Sequence, residues 1–144
     1  MNQFHNKVVI VTGGAKGIGK VICEEFRKNG AKVCTIDKEP NDYFIGDVGD
    51  EKQLIEFSQK VLTEHKKIDF LINNAMTSMG GIDTCSYDDF NYALKVGITA
   101  PYYLTKLLMN HFNENGCIIN ISSTRAKMSQ PFTESYSAAK GGIE

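Results

Sequence analysis

The 144-residue chain has no tryptophan, only three prolines and four cysteines, and no block of five or six like charges. Cys23, Cys34, Cys85 and Cys117 show none of the close spacing of a zinc or redox site, and His5, His65 and His111 are scattered. No metal site is therefore expected. The thiols read as small buried hydrophobes in a reducing compartment, so the expected location is cytoplasmic. Long apolar runs are missing too. The first, Val8-Val9-Ile10-Val11, stops at Thr12-Gly13-Gly14, too short for a signal-peptide core or a membrane span. Sixteen basic residues face seventeen acidic ones, a net charge of −1, which argues against nucleic acid as a partner.

What is present is enough apolar residue, 42% of the chain, to build an ordinary core. Short apolar runs alternate with helical patterns. Val8–Val11 is β-branched throughout, as a strand buried on both faces requires. Ile18, Val21, Ile22 and Phe26 then recur at helical spacing, and Asn29-Gly30 supplies a stop. Strands are expected at Lys32–Ile36, Tyr43–Ile45, Ile68–Ile72 and Gly116–Ile121. Only the polar turn 38–42, with Pro40, separates the second strand from the third, so no helix is expected there. Asp50 with Gln53 and Ser86 with Asp89 have capping-box spacing. The helix that Ser86 opens should run to about His111 and bend near Thr99, because Pro101 cannot continue it undisturbed. A last helix begins near Ser135. Five buried strands alternating with helices predict an α/β fold: one domain, residues 1–144, with a doubly wound parallel sheet in the order 3-2-1-4-5.

The turn after the first strand carries the chemistry. Thr12-Gly13-Gly14-Ala15-Lys16-Gly17-Ile18-Gly19 joins a strand to an amphipathic helix. Glycines there let the backbone approach a pyrophosphate while the free N–H groups of the first helical turn face the anion. The spacing, Gly13-xxx-Gly17-x-Gly19, differs from the common GxGxxG. Asp37 ends the second strand 18 residues after Gly19. A carboxylate there accepts hydrogen bonds from the 2′- and 3′-hydroxyls of an adenosine ribose and repels a 2′-phosphate, which favours NAD over NADP. Lys16 and Lys38 are the two cations that could meet such a phosphate.

These residues, with others further along, resemble the short-chain dehydrogenase/reductases, a family with an NAD(P)-binding Rossmann fold. Residues 12–19 are similar to its TGxxxGxG loop. Asp47-Val48 resembles its adenine-contacting pair, Asn73-Asn74-Ala75 its NNAG element, and Ser123 with Tyr136-Ser137-Ala138-Ala139-Lys140 its catalytic serine and YxxxK. The 13-residue interval from Ser123 to Tyr136 agrees as well. The resemblance implies hydride exchange between NAD and an alcohol or ketone, with Ser123, Tyr136 and Lys140 catalytic. It implies cofactor contacts from Thr12, Gly13, Lys16, Gly17, Ile18, Gly19, Asp37, Asp47, Val48, Asn74, Ala75, Tyr136 and Lys140. The residues support such chemistry. Tyr136 and Lys140 stand i, i+4 on one helical face, and an ammonium beside a phenol favours the ionised form that exchanges a proton with a substrate oxygen. Ser123 can donate to the same oxygen, and the hydride belongs to the cofactor. The resemblance also suggests a homo-dimer or tetramer.

Gly97 stands where the family carries a catalytic asparagine, and Met76 where NNAG has its glycine. In the family two further strands and a substrate lid follow the YxxxK helix, about a hundred residues at roughly thirty per βα unit. The chain is thus expected to be C-terminally truncated, with an incomplete nicotinamide half and an apolar edge at the fifth strand. The alternative to an oxidoreductase is a non-catalytic dinucleotide-binding module, or an inactive fragment of such an enzyme.

Overall fold

The computed structural model describes residues 3–144. The elements are β1 (Val8–Thr12), α1 (Gly17–Lys28), β2 (Lys32–Asp37), β3 (Phe44–Ile45), α2 (Glu51–His65), β4 (Ile68–Asn73), α3 (Tyr87–Leu94), α4 (Ala100–Leu108), β5 (Phe112–Asn120) and α5 (Glu134–Ile143). The five strands form one parallel sheet in the order β3-β2-β1-β4-β5. That is the doubly wound order the sequence predicts, and no helix intervenes between β2 and β3.

The sheet separates two apolar layers. On one face Ile10, Ile36 and Leu71 pack with Phe57 and Val61 of α2 and Leu104 and Leu108 of α4. On the other, Val9, Val11 and Ile72 pack with Cys23, Ile22 and Phe26 of α1. Phe26 also joins Phe4 and Phe70 in an aromatic cluster with ring centroids 4.7–5.8 Å apart. The buried stripe of α1 therefore runs through Gly19, Ile22, Cys23 and Phe26. Ile18 and Val21, expected on it by spacing, are exposed at 67% and 59%. Helix α1 ends in a Schellman motif. Gly30 (φ 87°) donates to the Arg27 carbonyl and Ala31 to the Phe26 carbonyl, satisfying the last turn.

Three further details differ from the sequence reading. The expectation of five buried strands fails at both edges of the sheet in the described residues: in β3 Phe44 is half-buried and Ile45 exposed, and in β5 every residue after Phe112 is exposed. Strand β5 also starts four residues early: its pairing with β4 slips between Ile68 and Phe70, and Asn115 (φ 64°) precedes Gly116 in the irregular stretch. At Asp50 the capping box is half made. Asp50 accepts from the Lys52 and Gln53 N–H groups, but the Gln53 side chain turns to accept from the Asp47 N–H. At Ser86 both halves are present.

The long helical region breaks as expected, by a π-helical turn over Lys95–Thr99. Pro101 has no N–H for the Gly97 carbonyl and its ring crowds that carbonyl. The chain inserts one residue, and Ala100 donates five residues back to Lys95.

At the opposite end of the sheet from the glycine loop, Asp69 is buried at 4% exposure. It accepts from the Val8 N–H at 2.9 Å, Lys7 Nζ at 3.0 Å and Asn113 Nδ2 at 3.1 Å. Burial pushes its carboxyl up, but these donors outweigh it and hold the group below the ordinary aspartate value. One carboxylate thus ties three strands together.

Candidate functional site

A cavity of about 620 Å³ opens along the C-terminal ends of the strands, and its walls run from Asp37 and Lys38 at one end to Tyr136 and Lys140 at the other. This is within the range of small-molecule and cofactor sites. It lies where β1 and β4 diverge, the crevice in which α/β sheets bind ligands.

The floor is the β1–α1 turn. Gly13 (φ 70°) and Gly17 (φ 56°) take left-handed backbone that other residues adopt at a cost, and no atom lies within 4 Å of a Cβ built on Gly17. The backbone there is open to a ligand. Among the described residues no side chain caps α1, and its first turn carries no acid, so its N–H groups remain available to an anion. Gly19 serves packing instead: a Cβ there would lie 2.0 Å from the Gly13 carbonyl oxygen. Thr12 is likewise structural. Its hydroxyl accepts from the Asn74 and Ala75 N–H groups, both at 3.0 Å, while Asn74 Nδ2 donates to the Thr12 and Gly13 carbonyls at 3.0 Å. Asn74 thereby staples the end of β4 to the glycine turn.

At the ribose end, Asp37 accepts from the Ala15 N–H at 2.9 Å and the Glu39 N–H at 3.0 Å. Each carboxylate oxygen keeps a free lone pair. Neither lysine flanking this position is unattached. Lys16 pairs with Glu39 at 3.3 Å. Lys38 donates to the Tyr92 hydroxyl at 3.2 Å and lies 3.6 Å from Asp47, and these two partners hold its ammonium above the ordinary lysine value.

Next along the wall are Asp47 and Val48. The Tyr92 hydroxyl donates to both Asp47 oxygens at 2.8 Å, and the Gly49 N–H donates to one at 2.7 Å. Burial and the Asp47 charge push the Tyr92 hydroxyl up, so it stays a donor. Sequence reasoning missed Tyr92. It stands 45 residues from Asp47, and nothing in the helical pattern of α3 marks it.

At the far end, Tyr136 and Lys140 of α5 line the same cavity. Lys140 is only 5% exposed; its Nζ donates to the Ile121 carbonyl and lies 5.7 Å from the Tyr136 ring centroid. Burial pushes its ammonium below the ordinary lysine value. Ser122, not Ser123, is among the lining residues, and the Ser123 hydroxyl accepts from the Arg125 N–H at 3.2 Å. Of the residues the sequence nominates, Gly13, Lys16, Ile18, Asp37, Asp47, Val48, Asn74, Ala75, Tyr136 and Lys140 line the cavity; Thr12, Gly17, Gly19 and Ser123 do not.

Two departures from the family pattern meet at this end. A Cβ built on Gly97 would lie 2.7 Å from the Ala139 Cβ and 3.0 Å from the Met76 sulfur. Met76, itself a lining residue, fills space that a side chain at 97 would need. The loop after Met76 is anchored to α5: the Ser135 hydroxyl donates to the Gly80 carbonyl at 2.9 Å and accepts from its N–H, and Glu134 accepts from the Ile82 N–H. Among the described residues no group of three or more His, Cys, Asp or Glu side chains is placed to hold a metal, and no helix is long and apolar enough to cross a membrane.

Residues 7–144 match the family described as short chain dehydrogenase. An uncharacterized oxidoreductase of Thermotoga maritima is 34% identical, the alignment covering 98% of this chain and 62% of that one. The 3-oxoacyl-[acyl-carrier-protein] reductase FabG of Chlamydia pneumoniae is 33% identical over 95% of this chain and 63% of its own length. Among solved structures, an apo SCOR enzyme from Clostridium thermocellum superposes with a TM-score of 0.87 at 41% identity, covering 96% of this chain and 62% of that one. The chain thus spans less than two thirds of the length of these relatives.

Proposed function

The chain belongs to the short-chain dehydrogenase family, and on that footing we propose that it forms the cofactor-binding and proton-transfer part of an NAD-dependent oxidoreductase that interconverts an alcohol and a carbonyl. The observation that carries the reading is that one cavity is lined at one end by Asp37 and the glycine turn and at the other by Tyr136 and Lys140. The residues fit a dinucleotide. An uncapped helix N-terminus and open backbone at Gly17 suit its pyrophosphate, and the Asp37 oxygens suit ribose hydroxyls. When bound, the nicotinamide supplies or accepts the hydride.

The chain's own residues do the rest. Tyr136 exchanges a proton with the substrate oxygen, and Ser123, outside the cavity lining but with its own O–H proton free, donates to that oxygen once the substrate reaches it. Lys140 holds its ammonium between the Ile121 carbonyl and the Tyr136 ring, where it can also hold ribose hydroxyls. Asp37 favours NAD over NADP, and the engagement of Lys16 by Glu39 and of Lys38 by Tyr92 leaves no unattached cation beside it to meet a 2′-phosphate. The site so assembled takes a small alcohol or ketone and acts away from membranes and nucleic acids, in the cytoplasm, in a dimer or tetramer.

The test is turnover of a panel of ketones with NADH, comparing the natural enzyme with Tyr136→Phe. Loss of the phenol proton should lower kcat by 100-fold or more, in the range of general acid–base contributions (about 10²–10⁴). Undiminished turnover by the variant would overturn the mechanism. A second reading, a dinucleotide-binding module without catalysis, draws on Met76 standing against Gly97. It predicts NADH binding with no ketone reduced.

A further inference from the structure

The family resemblance gives Asp47 a contact to an adenine, and the structure shows what aims its carboxylate there: Tyr92. The Tyr92 hydroxyl spans both carboxylate oxygens at 2.8 Å. Its ring is fixed from below, because a Cβ built on Gly49 would lie 2.7 Å from the ring. Tyr92 and Asp47 both line the cavity, and Asp47 keeps a quarter of its side chain exposed there. The Gly49 N–H occupies one more lone pair of the oxygen Oδ1. What remains is an acceptor site on Oδ2: the Lys38 ammonium, engaged by the Tyr92 hydroxyl, faces it at 3.6 Å, beyond hydrogen-bond distance, so that the oxygen can still take a donor from a ligand.

We propose that Tyr92 is the positioning residue of base recognition, locking the Asp47 carboxylate so that its free oxygen accepts from the exocyclic amine of an adenine and rejects a base with a carbonyl at that place. The inference rests on the reading of this cavity as a dinucleotide site, and it concerns the base, not the reacting end. Three observations meet in it: the two-point hydrogen bond, the glycine under the ring, and the single open acceptor position. The raised Tyr92 hydroxyl agrees, since a phenol that keeps its proton keeps donating.

The experiment is direct binding, followed by the fluorescence of the reduced cofactor, with no turnover required. NADH is compared with reduced nicotinamide hypoxanthine dinucleotide, in which a carbonyl replaces the amine. The natural protein should prefer NADH by about tenfold, the scale of one charge-assisted hydrogen bond. In Tyr92→Phe that preference should shrink to within about twofold, with the loss falling on NADH. Asp47→Asn, read the same way, should lose it too. A tyrosine that merely supports the fold would weaken both dinucleotides equally and leave their ratio intact, and that result would overturn the proposal. So would equal binding of the two by the natural protein. Failure of the natural protein to bind either one would overturn the dinucleotide reading itself, and the base-recognition proposal with it.

Discussion

Met76 and Gly97 share one space. The thioether of the first stands 3.0 Å from where the Cβ of the second would be, and Ala139, on the helix face that carries Tyr136 and Lys140, closes the other side at 2.7 Å. The two departures from the family pattern are therefore one event in packing: a larger side chain at 76 goes with none at 97. The contact also sets how closely α5 approaches the π-helical turn, and with it where the phenol and ammonium lie.

Gly97→Ala should destabilise the protein. In an exposed helix this change gains about 1 kcal/mol. Here the added methyl overlaps the Ala139 methyl, a contact neither backbone can relieve alone, so a loss of about 1–3 kcal/mol is expected. Met76→Ala in the same chain should recover only part of it, since the sulfur is the lesser of the two obstacles. Urea unfolding of the single and double variants checks both the sign and the partial recovery.

Asp37→Ser should weaken NADH binding by about tenfold, the worth of a charge-assisted hydrogen bond to a ribose hydroxyl, and should raise the affinity for NADPH as the repulsion of its 2′-phosphate disappears. Some loss for both cofactors is expected as well, because Asp37 also anchors the Ala15 N–H of the glycine turn. Paired titrations with NADH and NADPH separate the terms: the ratio reports the ribose, the common loss reports the turn.

The sheet order was legible because short apolar runs alternate with helical patterns, which a parallel, doubly wound sheet requires. Val8–Val11 before Thr12-Gly13-Gly14 could be little else. Ile18 and Val21 were misplaced because their spacing is helical while Ile18 borders the open cavity and Val21 a separate surface groove beside Phe4, and periodicity does not say what a face meets. The extent of β5 was missed because Phe112 is followed by the polar, irregular stretch Asn113-Glu114-Asn115, and pairs with Ile68 through a slipped register that only the neighbouring strand determines. In the site, residues that occupy turns with special backbone were visible from their types. Those that act through distant partners were not: Tyr92 on Asp47, Glu39 on Lys16, Met76 against Gly97. Their partners are set by the fold, not by local sequence.

Asp69→Ala should cost about 2–3 kcal/mol at pH 7, since it leaves the buried Val8 N–H and the Lys7 and Asn113 donors without their acceptor. The folded carboxyl is held below its unfolded value, so the charged form contributes stability above the unfolded pKa of about 3.9 and loses it as the pH falls through the folded value. The difference between natural and variant proteins should therefore be full at pH 7 and narrow toward pH 3. Denaturant melts at those two pH values check this, and a difference that stays constant would remove Asp69 from the account.

Lys140→Met should separate stability from function in the opposite sense. Burial lowers the folded ammonium below its unfolded value, so the unfolded chain binds the proton more tightly and the charged lysine is a cost to the fold. That cost is present at neutral pH and fades as the pH rises from the folded value toward the unfolded one near 10.4. A methionine of similar length removes the charge and keeps the packing, at the loss of one hydrogen bond from a charged donor to the Ile121 carbonyl, worth about 1.5–3 kcal/mol. The standing of the variant relative to the natural protein should be best near pH 7 and worsen steadily toward pH 10, read by thermal melts across that range. On the proposed mechanism its turnover should fall at least 100-fold over the same range. A variant that gains ground as the pH rises would show that the buried ammonium is favoured by this fold, reversing the sign that its burial gives.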